Sequence, residues 1–219
     1  MLLLGTASEV AIEVVYRGYI QGVAGNFFVF SIIHLRVVPV TQSSNMSWSI
    51  PKDYQSRPVV VLGGGVLGRR IAACFVAAEH HVIIRDPSEK SRNDALEYIK
   101  QNMSTYLGLT FGKEGSYEAV EDLETAVKDS WLVFEAVPEV LSIKEDTYRD
   151  LEKYAPKDCI LASNSSSYKS GDLLGKVTDE TKTRVLNTHY MMPPQVWDCM
   201  YIKQRYFPDI YTRPSLSSS

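Results

Sequence analysis

The fold of this chain is decided by residues 59–68, which read Val-Val-Val-Leu-Gly-Gly-Gly-Val-Leu-Gly. The four branched apolar residues at the start are typical of a buried β-strand. Gly63, Gly65 and Gly68 fit the pattern G-x-G-x-x-G, and residues 67–78 continue with apolar side chains at helical spacing. The segment therefore predicts a strand, a tight turn and a helix in direct succession.

The glycine pattern also predicts an anion site, because loop N–H groups and the positive end of the helix dipole face a phosphate in this arrangement. Gly63 would permit the tight turn, Gly65 would let the backbone approach a pyrophosphate, and Gly68 would let the helix pack close to the strand. We expect the backbone of Val66 and Leu67 to belong to the same site.

A carboxylate stands at the end of the next apolar run, residues 81–86. Asp86 follows the glycine loop by about 20 residues, the distance at which a dinucleotide-binding unit places the acid that binds a ribose. Its carboxylate can accept hydrogen bonds from both ribose hydroxyls and would repel a 2′-phosphate, so the sequence predicts NAD. Arg85 beside it leaves NADP as the alternative.

The chain continues to alternate strands and helices. Ser88 is predicted as the N-cap of a helix that runs to Tyr106. The later predicted elements are a strand at 131–137, a helix at 142–154, a strand at 159–163, a short helix after Ser170 and a strand at 184–188. This alternation predicts an α/β fold with a doubly wound, mostly parallel sheet of the Rossmann type.

Three polar segments follow the later predicted strands, where ligands bind such a sheet. The first contains Glu139 and Lys144, the second contains Asn164 and Ser166, and His189 stands in the third. Each residue taken alone fits an ordinary surface position. Because all three segments would lie at one edge of the sheet, together they predict a functional site there.

In this order, the segments resemble the 3-hydroxyacyl-CoA dehydrogenase family. The resemblance runs from Pro58 to Pro194: the glycine loop, Asp86, Glu-Ala-x-x-Glu with a lysine five residues later, Ser-Asn-x-Ser-Ser, and His-aromatic-x-x-Pro. It implies an oxidoreductase that converts the 3-hydroxyl of an acyl-CoA to a ketone with NAD as the hydride acceptor.

The resemblance also implies roles for individual residues. His189 would be the general base, since an imidazole with an ordinary pKa near 6.5 can take a proton at neutral pH. Ser166 would be the hydroxyl that holds the substrate oxygen. Asn164 would neighbour the nicotinamide, and Glu139 and Lys144 would contact the cofactor.

The chain departs from the family after Trp197. Family members pair the histidine base with a glutamate at a position near Tyr201, and residues 195–204 contain none. Without it, the imidazole would lose the partner that orients it. The family's C-terminal helical domain would need more than the 25 residues that follow Pro194. We therefore expect the NAD-binding half of such an enzyme, a truncated product or gene model with weak or no turnover.

Two other functions stay open. The segment from Asp86 to Glu135 is shorter than the family's helical excursion that contacts CoA. This favours a dehydrogenase of the same superfamily that acts on a small hydroxy acid, a sugar acid or carnitine. The missing glutamate and helical domain favour a non-catalytic NAD-binding module. All three functions use small molecules as ligands.

Composition limits the partners and the compartment. The 219 residues suit one main domain, and the net charge of −3 with a pI near 5.8 provides no basic face for nucleic acid. Cys74, Cys159 and Cys199 show neither disulfide nor metal spacing. We expect no metal and a reducing compartment, the cytoplasm or alternatively a mitochondrion.

The two ends of the chain differ from its middle. Residues 1–45 are an atypical apolar extension, expected to be irregular, and polar residues and glycines within Gly18 to Leu35 argue against a membrane span. The natural domain is expected to begin near Met46. Residues 46–57 are expected to be a linker, 58–197 the dinucleotide-binding domain and 198–219 a poorly ordered tail.

Overall fold

The computed structural model describes residues 51–110, 112–188 and 190, and the backbone of four strands nearer the start. These are β1 (Val10–Val15), β2 (Tyr19–Gln21), β3 (Phe27–Val29) and β4 (His34–Pro39). They form two antiparallel pairs, β1 with β4 and β2 with β3, separate from the main sheet. The sequence pattern predicts no regular element here, although the strands are rich in the β-branched and aromatic residues that favour strands.

The main sheet has six parallel strands in the spatial order β7-β6-β5-β8-β9-β10. They are β5 (Val59–Leu62), β6 (His81–Arg85), β7 (Ser116–Val120), β8 (Leu132–Glu135), β9 (Ile160–Ser163) and β10 (Val185–Asn187). Strand order reverses its direction between β5 and β8, which is the switch point of a doubly wound sheet. The predicted Rossmann-type α/β fold is therefore confirmed.

Helices cover both faces of this sheet. They are α1 (Gly68–Val76), α2 (Glu89–Thr110), α3 (Leu123–Val127), α4 (Leu141–Tyr154), α5 (Asp179–Lys182) and a 3₁₀ helix at Ser170–Leu173. Because successive strand residues face opposite sides, Val59 and Val61 pack in one core with α1 and α2, whereas Val60 and Leu62 pack in the other with α3 and α4. Burial on both faces explains the nearly continuous apolar sequence of β5.

The sequence pattern does not predict β7 or α3. The residues of β7 are exposed or half-buried at the edge of the sheet, so they form no apolar run that would signal a strand. Helix α3 has five residues, and the Asp122 carboxylate caps it by accepting a hydrogen bond from the Thr125 N–H at 2.7 Å. The predicted cap of α2 is present, because Ser88 Oγ accepts a bond from the Ser91 N–H at 3.3 Å.

Residues 51–57, part of the predicted linker, pack against the amino edge of the sheet. The Arg57 guanidinium donates to both carboxylate oxygens of Asp158, at 2.8 and 2.9 Å, and to the Ser130 carbonyl oxygen at 2.6 Å. The ring of Tyr54 meets Trp131 edge-on, with centroids 5.2 Å apart. These contacts join the segment to the residues before β5, β8 and β9.

The described residues contain neither a candidate membrane-spanning helix nor a candidate metal site. None of their helices is both long enough and apolar enough to cross a membrane. They also contain no group of His, Cys, Asp and Glu side chains arranged around a metal ion. The predicted tail, residues 198–219, lies outside the described part of the chain.

Candidate functional site

The glycine loop leaves the carboxyl end of β5 and leads directly into α1. Gly63 has a φ of +107°, in the left-handed region that favours glycine. A Cβ added there would lie 2.5 Å from the Ala136 carbonyl oxygen, so the loop after β8 also closes the space around it. The Gly63 N–H donates to the Arg85 carbonyl oxygen at 2.8 Å. The tight turn is therefore held between β6 and β8.

The other two glycines of the pattern differ in their surroundings. A Cβ at Gly68 would overlap the Gly63 carbonyl oxygen and lie 3.4 Å from Val61 Cγ1, so α1 approaches β5 closely because this residue has no side chain. A Cβ at Gly65 would have no described atom within 4 Å. Open space beside exposed backbone at the start of a helix suits an approaching phosphate. The loop therefore fits a pyrophosphate.

Asp86 holds the glycine loop at the end of β6. Its Oδ2 accepts a hydrogen bond from the Gly64 N–H at 2.8 Å, and its Oδ1 accepts one from the Ser88 N–H at 2.9 Å. Each oxygen has further lone pairs, so the carboxylate can also accept bonds from ribose hydroxyls. The Arg85 side chain contacts the residue after β7, with its Nε donating to the Glu121 carbonyl oxygen at 2.9 Å. A carboxylate beside the loop favours a ribose that carries free hydroxyls.

Strand β8 ends in a carboxylate that is 0% exposed, that of Glu135. Its Oε1 accepts hydrogen bonds from Lys144 Nζ at 2.7 Å and from the Val137 N–H at 3.0 Å. Its Oε2 accepts one from Ser163 Oγ at 2.8 Å. Lys144 is itself 1% exposed and pairs a second time, with Glu139 Oε2 at 3.1 Å. Charges this deeply buried need such partners.

Glu139 connects this buried pair to the loop after β9. Its Oε1 accepts hydrogen bonds from Ser165 Oγ at 2.5 Å and from the Ser167 N–H at 2.9 Å. Partial burial acts to raise the pKa of Glu139, but these hydrogen bonds and the Lys144 ammonium outweigh it, so the pKa lies below its ordinary value. Glu139 is therefore ionised at neutral pH.

The loop after β9 also holds the end of β10. Thr188 donates from its N–H and its Oγ1 to the Ser163 carbonyl oxygen, at 2.7 and 2.9 Å. The Tyr190 N–H donates to Asn164 Oδ1 at 3.0 Å. His189, the predicted base, lies outside the described residues. Both of its chain neighbours are nevertheless held at the carboxyl edge of the sheet.

The predicted site residues divide into two groups across the switch point. Beyond β5 and β6 lie Asp86 and the glycine loop, in which Val66 is exposed and Leu67 is half-buried. Beyond β8 and β9 lie the polar loops that contain Ser166, which is exposed. The sequence prediction contains Glu135 as the first glutamate of Glu-Ala-x-x-Glu but assigns it no role, although a charged residue that ends an otherwise apolar run is a signal of a buried polar site.

A doubly wound parallel sheet with a glycine loop and an acidic residue at its switch point is a dinucleotide-binding domain of the Rossmann type. Residues 58–202 match the family described as 3-hydroxyacyl-CoA dehydrogenase, NAD binding domain. The chain therefore belongs to the 3-hydroxyacyl-CoA dehydrogenase family, as its NAD-binding domain, and its cofactor is NAD.

Relatives and solved structures agree with this assignment. The chain is 30% identical over 152 residues to a glyoxysomal fatty acid β-oxidation multifunctional protein of Brassica napus, covering 66% of this chain and 20% of the relative. It is 33% identical over 144 residues to a 3-hydroxyacyl-CoA dehydrogenase of Gibberella moniliformis, and the match covers 64% of this chain and 44% of the relative. The structure of a diketoreductase that acts on dicarbonyl compounds matches with a TM-score of 0.60 and 30% identity, and the match covers 67% of this chain and 54% of the diketoreductase. The chain thus spans about half or less of each of these proteins.

Proposed function

We propose that this chain forms the NAD-binding half of an oxidoreductase that interconverts a 3-hydroxyacyl-CoA and the corresponding 3-ketoacyl-CoA. The observation that carries the proposal is the meeting of two groups at one edge of the sheet. Asp86 and the glycine loop lie on one side of the switch point, and Asn164 and Ser166 lie on the other. A dinucleotide that spans the crevice would reach both groups. Family membership supports the substrate class.

NAD, when bound, supplies the acceptor for a hydride from the carbon that bears the hydroxyl. The loop N–H groups from Gly65 to Gly68 would bind the pyrophosphate, with the dipole of α1 favouring its negative charge. Asp86 would accept hydrogen bonds from the ribose. Glu139 and Lys144 stay predicted cofactor contacts; of the two side chains, that of Glu139 is the accessible one, at 38% exposed.

The proton of the substrate hydroxyl would pass to an imidazole nitrogen of His189. Ser166 would donate a hydrogen bond to the substrate oxygen, where charge gathers as the proton leaves. Asn164 would hold the backbone at Tyr190 and so present His189 at the same edge as the cofactor. The expected effect of the missing glutamate is weak turnover, since it would otherwise orient the imidazole.

The test combines binding and turnover on one sample of the 219-residue chain. NADH binding is measured by calorimetry, and oxidation of NADH by acetoacetyl-CoA is followed by absorbance. Binding with turnover that His189→Gln abolishes would support the proposal in full. Binding without turnover would reduce the function to that of a cofactor-binding module. Failure to bind NADH would overturn the proposal.

A dehydrogenase of a smaller substrate is the second candidate. Between β6 and β7 the chain has the helix α2 and then residues 111–115, which are too few for a second helix directed toward CoA. The diketoreductase, whose structure is similar, acts on dicarbonyl compounds. Turnover of small diketones, hydroxy acids or carnitine, without turnover of acetoacetyl-CoA, would favour this candidate.

The cytoplasm stays the proposed compartment, with a mitochondrion as the alternative. The name of the Brassica napus relative adds a glyoxysome as a third location. Microscopy of the full-length protein with an internal tag distinguishes the three.

A further inference from the structure

We propose that Glu135 is a positioning residue for the half of the NAD site that holds the nicotinamide. It would act through its buried hydrogen bonds and without touching the cofactor itself. The inference rests on the NAD site of the proposed function and adds a role for a residue to which the sequence prediction assigns none.

Glu135 joins three separate segments of the chain. Its donors are the Val137 N–H in the loop after β8, Lys144 in α4 and Ser163 at the end of β9. Ser163 Oγ in turn accepts a hydrogen bond from the Ser165 N–H at 3.1 Å. The carboxylate therefore determines where the loop after β9 begins.

A second route leads from Glu135 to the same loop. Lys144 contacts Glu139, and Glu139 binds Ser165 Oγ and the Ser167 N–H. The two routes thus reach the residues on both sides of Ser166. A shift of the carboxylate would move the loop that contains Ser166 and Asn164.

The burial of Glu135 is poorly explained by stability alone. A buried ion pair is often no more stabilising than apolar side chains of similar volume in its place. The rest of β8 is apolar and fully buried, so an apolar residue would continue its pattern. A carboxylate at this point instead directs three donors toward fixed positions, which an apolar side chain cannot do.

The other half of the NAD site has a separate set of hydrogen bonds. In the glycine loop, the Gly63 N–H donates to the Arg85 carbonyl oxygen and the Gly64 N–H donates to the Asp86 carboxylate. The loop after β8 approaches it through backbone atoms of Ala136. A doubly wound sheet binds a dinucleotide through two mononucleotide halves, one on each side of the switch point. The ADP half would therefore lie beyond β5 and β6, and the nicotinamide half beyond β8 and β9. Loss of the Glu135 charge would weaken NAD binding and spare ADP binding.

The experiment compares NAD with ADP. Calorimetric titrations of the full chain use wild type, Glu135→Gln and the control Arg57→Gln, and thermal unfolding of each is recorded. Glutamine keeps the volume of Glu135 but removes the charge opposite Lys144. Arg57→Gln also breaks a charged pair, with Asp158, but at the opposite edge of the same sheet. Ser163→Ala serves as a milder variant, because it removes one donor to Glu135 and keeps the ion pair.

We expect Glu135→Gln to weaken NAD binding by about tenfold or more, since hydrogen bonds to a charged group are lost, and to change ADP binding by less than about twofold. Ser163→Ala should weaken NAD severalfold with the same selectivity, and it decides the question if Glu135→Gln fails to fold. Arg57→Gln should lower the melting temperature and leave both affinities unchanged.

Equal losses of NAD and ADP binding would indicate a merely structural role and overturn the inference, as would unchanged NAD binding in both site variants. Wild type that binds neither ligand would overturn the NAD site itself. Wild type that binds both ligands but turns over no substrate would refute the proposed activity and leave the role of Glu135 standing.

Discussion

Alanine at Gly68 and at Gly65 should separate stability from cofactor binding within one loop. At Gly68 the new Cβ would overlap the Gly63 carbonyl oxygen and lie 3.0 Å from its carbonyl carbon and 3.4 Å from Val61 Cγ1. These atoms belong mainly to backbone, which cannot rotate out of the way, so α1 would have to move away from β5. Overpacking of a core costs about 1–3 kcal/mol, and this contact belongs at the upper end. At about 2–4 °C per kcal/mol for a chain of this size, the melting temperature should fall by about 6–12 °C.

Alanine at Gly65 should leave the stability of the domain intact and weaken NAD binding. A Cβ there meets no described atom within 4 Å, and the φ of Gly65 lies outside the left-handed region. Alanine restricts the unfolded chain, so stability should stay the same or rise by about 0.4–1 kcal/mol. The methyl group would occupy the space through which a pyrophosphate reaches the backbone. NAD affinity should therefore fall by about tenfold or more, equivalent to at least about 1.4 kcal/mol.

The assay uses thermal and urea unfolding followed by circular dichroism, and calorimetric titration with NAD. Gly68→Ala with the stability of wild type would refute the close packing of α1 on β5. If Gly65→Ala keeps the NAD affinity of wild type, the glycine loop does not bind the pyrophosphate as proposed. A large loss of stability in Gly65→Ala would mean that the space beside Gly65 is not open.

Three further predictions concern charge and burial. Asp86→Asn should weaken NAD binding by about tenfold and NADP binding less, because the charge that repels a 2′-phosphate is removed; equal losses in parallel titrations would contradict this. Lys144→Met should destabilise the domain by about 3–5 kcal/mol, since Glu135 would keep a buried charge without its main partner. The double change Lys144→Met with Glu135→Leu should recover much of that loss in urea unfolding, and no recovery would refute the argument. Burial raises the pKa of the Cys74 and Cys159 thiols to about 12 and about 11. Neither should react with iodoacetamide at pH 8 before unfolding, and peptide mapping that finds either one alkylated in the native protein would contradict their burial.

The elements that the sequence predicts are those with strong local patterns. The apolar run of β5, the glycines after it and the serine cap of α2 each depend on residues a few positions apart. Within the main domain, the elements that it misses have weak patterns, as in the edge strand β7, where one half-buried face carries little apolar signal. Helix α3 escapes prediction because five residues are too few to show a helical period.

The candidate site divides in the same way. Gly63, Gly68 and Asp86 are predictable because a turn, a close helix contact and a strand end each require a particular kind of residue nearby. The hydrogen-bond partners of Glu135 are not predictable in this way, because Ser163, one of them, lies 28 residues further along the chain. The sequence shows both residues but contains no local pattern that pairs them.

The succession of strand, turn and helix, the family and the cofactor could thus be predicted from the residues alone, since these follow from short patterns in a given order. The folded chain was needed to show that Asp86 binds the Gly64 N–H, that Asn164 binds the Tyr190 N–H, and that Lys144 is buried between two carboxylates. These contacts arise because parallel strands bring the ends of distant segments to one edge of the sheet. Burial at that edge then leaves each charged or polar group dependent on partners from other segments.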